Sequence, residues 1–172
     1  MITRTALFSA LLAMASVSHA QNTFQRLLPA DYSTGEDVAT TPSGDVIVAG
    51  NWTTNGIGFT RAHVVKYTAA GTLIRSTQVF VPSTGSYTHT WVDAIAAMPT
   101  GGVVLAGRTF VNGMDSIYIA CLDNAGGLLW SHQFDPNIPG VLGLYMNDIA
   151  VAPNGDVVLL GEISLDGGAL HS

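Results

Sequence analysis

The sequence predicts an all-β protein assembled from a repeated unit of about 55 residues, and three observations predict it. A fifteen-residue pattern occurs three times without gaps, as EDVATTPSGDVIVAG at 36–50, DAIAAMPTGGVVLAG at 93–107 and NDIAVAPNGDVVLLG at 147–161. Its prolines (42, 99, 153) and closing glycines (50, 107, 161) keep the same spacings, 57 and then 54. A looser second half also recurs, AHVVKYTAAGTLI at 62–74 answering to YIACLDNAGGLL at 118–129.

Each unit resolves into four strands. Strand A precedes the proline. Pro-x-Gly is a tight turn, with glycine supplying the positive φ such turns need. Strand B, Val46–Ala49 and its copies, is apolar at every position instead of alternating, as a strand buried on both sheet faces must be. Strand C covers 62–68 or 117–123, and strand D covers 73–80 or 128–134. Four short antiparallel strands of this kind describe one blade of a β-propeller, in which blades stack face to face. The units run over about 36–92, 93–146 and 147–172, the last truncated, and 24–28 has the character of an outer strand from a preceding blade. About two and a half blades result. A ring closes with roughly four to eight, so the ring is expected to be open or incomplete. An open end exposes apolar faces and unpaired strand edges. The chain is therefore expected to be part of a longer propeller, a truncated product, or a protomer that completes its ring with other copies.

The first twenty residues read as a secretory signal peptide. Arg4 precedes an uncharged apolar run, Ala6–Val17, and Ser18-His19-Ala20 supplies small residues for cleavage near Ala20. That run is too short for a membrane-spanning helix, which needs about 20 residues. A secreted or periplasmic location follows. The formal net charge is −6 and the chain holds one lysine, Lys66. Nucleic acid and anionic membrane surfaces both call for clustered Lys and Arg, so neither is expected as a partner. Other propeller blades or protein partners are, self-association among them. Cys121 is the sole cysteine, so no disulfide forms within the chain.

The segments DVATTPSGDVIVAG (37–50), AHVVKYTAAGTLI (62–74) and LDNAGGLLWS (122–131) resemble bacterial secreted β-propeller repeat proteins and the related delta-60 repeats. The resemblance covers nearly all of 24–172 and implies an extracytoplasmic propeller scaffold. It carries over no catalytic residue, because such repeats host many roles. The stretch Leu122–Trp130 is also similar to the repeats of quinoprotein dehydrogenases. Its tryptophan occurs in one copy only, with Arg75 at that place in the other, and the vicinal cysteines common in those enzymes are absent. No cofactor is expected.

The loop pattern is asymmetric. The A–B and C–D turns are short and glycine-rich. The B–C and D–A connections at the other end are longer and richer in aromatic and polar residues, which makes that end the candidate binding face. Trp52, Tyr87, His89, Trp91, Arg108 and Tyr145 are its candidate ligand-binding residues, able to stack on sugar rings or peptide side chains. The acidic residues opening strand A (Asp37, Asp93, Asp148, with Glu36 beside the first) would line a channel mouth. Recurrence in every unit favours a structural reading for them, as caps on backbone N–H groups. The histidines at 63, 89, 132 and 171 have no metal-ligand spacing, and no catalytic motif occurs. The expected function is a non-enzymatic scaffold or interaction module. A carbohydrate-binding module using the aromatic face comes second, and a propeller enzyme with its site in other blades third.

Overall fold

The computed structural model describes residues 32–53, 59–79, 88–111, 114–134 and 141–165. The expected signal peptide, the strand expected at 24–28, Tyr87 and the glycine-rich stretch 166–168 lie outside the described residues. Among the described residues there are ten strands and no helix: β1 (Tyr32–Thr40), β2 (Val46–Thr53), β3 (Thr60–Tyr67), β4 (Leu73–Val79), β5 (Thr88–Ala97), β6 (Val103–Val111), β7 (Met114–Leu122), β8 (Leu128–Phe134), β9 (Val141–Val151) and β10 (Val157–Leu165). None of the described residues therefore forms a helix long and apolar enough to cross a membrane.

The strands form three antiparallel sheets in chain order, β1-β2-β3-β4, β5-β6-β7-β8 and the two-stranded β9-β10. These do not close a ring. Five hairpin turns share one geometry. In each, a glycine sits at positive φ (Gly44, Gly71, Gly101, Gly126, Gly155). Each turn is held by the same two backbone hydrogen bonds, as in Thr41 N–H to Asp45 O and Gly44 N–H to Thr41 O. A β-carbon at such a φ is strained, so glycine recurs there.

The opening residue of each repeat is a β-bulge. Register slips at Glu36, at Asp93 and at Asn147, always across from the closing glycine of the same repeat. The bulge presses backbone onto that glycine. A Cβ at Gly50 would lie 2.0 Å from the Thr34 carbonyl oxygen, and one at Gly107 would lie 1.9 Å from that of Trp91. The conserved spacing of these glycines thus marks the bulge, which lets the strand run on past the acidic residue.

Four stretches read as connections are therefore strand. Thr88–Trp91 belongs to β5 and Leu144–Asn147 to β9, while Asn51–Thr53 and Arg108–Phe110 complete β2 and β6. Their β-branched and aromatic residues suit a pleated, half-buried surface.

The sheets stack. The face each sheet turns toward the next is called its leading face, and the opposite one its trailing face. Ile47, Ala49 and Val64 on the leading face of the first sheet pack against Val103, Leu105 and Tyr118 on the trailing face of the second. Val104, Ala106, Ile119 and Cys121 on the second sheet's leading face pack against Met146, Ile149 and Leu159 of the third. The middle sheet is thus covered on both sides, and Val103–Gly107 is buried at every position. That accounts for its unbroken apolar run. The same run in β10 has no sheet of described residues beyond it, and Val158 and Leu160 are 64% and 61% exposed.

Candidate functional site

Register brings four of the expected ligand-binding residues together. Trp91 lies across from Arg108, and His89 across from Phe110. The His89 ring stacks on Trp91 at 5.1 Å and 8°. The Arg108 guanidinium carbon sits 5.6 Å from the Trp91 ring centroid and 4.9 Å from that of Tyr145. Phe59 extends the row from the first sheet, 6.0 Å from the His89 ring. A row of rings with one cation thus runs from the residue before β3, across the second sheet, to β9: Phe59, His89, Trp91, Arg108, Tyr145. Each cation–ring contact is worth about 0.5–2 kcal/mol, more as water is excluded.

The strip is pinned from beneath. Asp93 pairs with Arg108, its Oδ2 3.1 Å from Nε and its Oδ1 3.4 Å from Nη2. The Thr60 N–H donates to His89 Nδ1 at 3.3 Å, which leaves the ring proton on Nε2. Chemically the strip offers flat apolar faces and a guanidinium paired with the Asp93 carboxylate. No nucleophile–base pair sits on it, and among the described residues no group of three or more His, Cys, Asp or Glu side chains could hold a metal.

Trp52 falls elsewhere. It is on the trailing face of the first sheet, its ring 6.2 Å from that of His63. Strand parity separates it from the strip, because Asn51 and Trp52 point to opposite faces. Its indole N–H is buried without a hydrogen-bond partner.

The acidic residues hold backbone N–H groups. Asp37 Oδ1 accepts from Val38 N–H at 2.7 Å, and its Oδ2 accepts from Ile95 N–H of the next sheet at 2.8 Å. Ala94 occupies the equivalent place in the second sheet and has no oxygen to offer, so the first sheet supplies one. Asp148 accepts from Ile149 N–H at 2.8 Å. The residue before the second bulge and the residue before the third are tied as well. Val92 N–H donates to Asn51 Oδ1 at 2.8 Å, and Met146 N–H reaches Asp93 Oδ2 at 3.5 Å. Each contact between sheets thus carries a polar latch beside the apolar one.

The tight-turn end holds features that sequence reasoning passed over. Lys66, 3% exposed, is clamped by Asp45 at 3.2 Å and by Asn124 Oδ1 at 2.5 Å. Arg75 reaches across to the Asn124 carbonyl at 2.6 Å. Burial pulls its pKa below the ordinary arginine value, against the opposing pull of Asp123. These two cations fasten the first sheet to the turns of the second. Beside them, Thr41, Pro42, Met98, Pro99, Val151 and Pro153 line an open groove of about 410 Å³. The three prolines are the repeat's own, so their equal spacing was the available signal; stacking the repeats brings them side by side.

Burial, and then the Asp123 carboxylate, push the Cys121 thiol pKa up. Its side chain is buried in the core, so it behaves as a small apolar residue. Tyr118 Oη and Thr109 Oγ1 are buried between the first two sheets with no partner. No protein-family model matches this chain, and no curated protein matches it.

Proposed function

We propose that the chain is an extracytoplasmic β-propeller repeat scaffold of the delta-60 kind, non-enzymatic, whose stack of blade-like sheets is continued by a partner. The observation that carries this reading is the contrast between equivalent strands. Val104 and Ala106 in β6 are fully covered by the third sheet, whereas Val158 and Leu160 at the same positions in β10 stand in solvent. Exposed contiguous apolar surface on a sheet with a free edge is an association surface. The apparent signal peptide places the protein outside the cytoplasm in this reading.

A Leu160→Cys chain tests it. Buried Cys121 leaves the introduced thiol as the reporter. In an extract of the compartment where the protein resides, that thiol should react with a maleimide at least tenfold more slowly than in dilute purified protein. Equal reactivity in both would sink the scaffold reading.

The strip of His89, Trp91, Arg108 and Tyr145 favours a second reading, carbohydrate binding. Flat rings beside hydrogen-bonding groups stack on sugar faces, and the Asp93 carboxylate paired with Arg108 keeps the surface from demanding an anion. A glycan array should then give hits that vanish in Trp91→Ala. Silence across the array, or hits unaffected by that substitution, would remove it.

A further inference from the structure

Lys66 is the chain's one lysine, and the fold buries it among three oxygen acceptors. It lies on β3 with 3% of its surface exposed. Register sets it across from Ile47, on the face of the first sheet that meets the second. Its Nζ donates to Asn124 Oδ1 at 2.5 Å and to the Gly101 carbonyl at 3.5 Å, and stands 3.2 Å from Asp45 Oδ2. A carbonyl bond is about 1.23 Å long, so Nζ lies at most about 3.7 Å from Asn124 Cγ. Reacting atoms held for attack stand about 3–3.5 Å apart. The turn between β5 and β6 walls the amide on one side, where a Cβ at Gly101 would lie 3.6 Å from Asn124 Cγ. Asn124 is otherwise exposed, which leaves a departing group a way out. The Asp45 side chain is 23% exposed, so its carboxylate keeps an edge to water. A buried amine, the carbon of a carboxamide and a carboxylate touching that amine are the parts of an amide-forming reaction.

We propose that Lys66 Nζ and Asn124 Cγ join in an isopeptide bond, with Asp45 carrying the protons. Asp45 Oδ2 takes one proton from the Lys66 ammonium, which frees the nitrogen lone pair. That pair attacks Asn124 Cγ, and the carbonyl electrons move onto Oδ1. Asp45 gives its proton to Nδ2 and takes a second one from Nζ. The carbonyl reforms, the Cγ–Nδ2 bond breaks, and ammonia departs, collecting the proton left on Asp45 as it reaches water. One lysine ammonium and one carboxamide thus give one secondary amide and one ammonium ion, and no oxidant or reductant enters. The bond ties β3 of the first sheet to the turn between β7 and β8, beside the place where Arg75 also reaches across. It gives a covalent tie to a chain whose single cysteine cannot form an internal disulfide. At the equivalent place in the second sheet, across from Val104, stands Cys121. Among the described residues the reaction therefore has one site. Nothing in it depends on the scaffold reading.

Mass spectrometry of the purified mature chain, unfolded in guanidinium, tests this. The wild type should weigh one ammonia less than its sequence, about 17 Da. Trypsin should no longer cut after Lys66, and should leave residues 62–75 joined to residues 109–172. Asp45→Asn and Asn124→Ser should each restore cleavage after Lys66 and release the two peptides. Asp45→Asn keeps the size of the side chain, so its circular dichroism should match that of the wild type. The wild-type digest decides the matter even where a variant misfolds. Ammonia is also lost when an N-terminal glutamine cyclises or when an asparagine closes on its own backbone, and the digest separates these. A loss confined to Gln21, or to the 109–172 peptide with nothing joined to it, would overturn the proposal. So would complete cleavage after Lys66 in wild-type protein, fresh or aged. Joined peptides in Asp45→Asn as abundant as in the wild type would overturn Asp45 as the proton carrier.

Discussion

An alanine at Gly107 would set its Cβ 1.9 Å from the Trp91 carbonyl oxygen, far inside contact distance, and that obstacle is backbone. Relief requires the bulge at Asp93 to open, which would disturb the Asp93–Arg108 pair beneath the strip. We expect Gly107→Ala to lower stability by about 3 kcal/mol, read as a reduced urea midpoint with an unchanged slope. His63 supplies a pH-dependent term. Half-burial lowers its pKa below the ordinary 6.5, and its Nε2 lies 2.6 Å from Ser76 Oγ. A histidine whose folded-state pKa is lowered takes up its proton more readily in the unfolded chain. Its stabilising contribution is therefore complete above about pH 6.5 and is lost as pH falls toward the lowered value. Denaturation at pH 7.5 and pH 5.5 should show a larger loss for wild type than for His63→Gln. An equal loss would assign the pH dependence to other groups.

At the scale of elements, the stack is held by latches whose strength differs from one repeat to the next. Asp37 serves two backbone N–H groups, one of them on the next sheet, while Asp148 serves one of its own. Asp37→Ala strands the buried Ile95 amide and should cost about 2 kcal/mol. Asp148→Ala should cost well under half as much in dilute protein, a difference that thermal melts resolve. Much of this level was readable from the chain. Repeated prolines and glycines marked the turns, and the unbroken apolar run Val103–Ala106 announced a strand covered on both faces. The bulge was not readable, because Glu36, Asp93 and Asn147 share no side-chain chemistry that demands one; the signal was the closing glycine opposite. Missing the bulge made the aromatic stretches look like loops and put Trp52 with Trp91. Once register is known, parity separates Trp52 and sets Trp91 beside Arg108. Lys66 gave no sign of its burial, since its partners Asp45 and Asn124 come from turns of two different sheets.

At the scale of the whole molecule, sheets of the same design differ in cover. Among the described residues, the second has neighbours on both faces, and the third has one neighbouring sheet, two strands and an apolar leading face. Amide protection follows from burial and pairing, so the strands should report this gradient directly. Hydrogen–deuterium exchange of the chain, followed by strand in dilute purified protein and in an extract of its compartment, is the most direct test. The account predicts slow exchange in β6 and β7 throughout, and exchange in β9 and β10 that is fast in dilute protein and slows in the extract. Exchange in β6 as fast as in β10, or a β10 that stays fast in the extract, would contradict a stack that ends on an associating face.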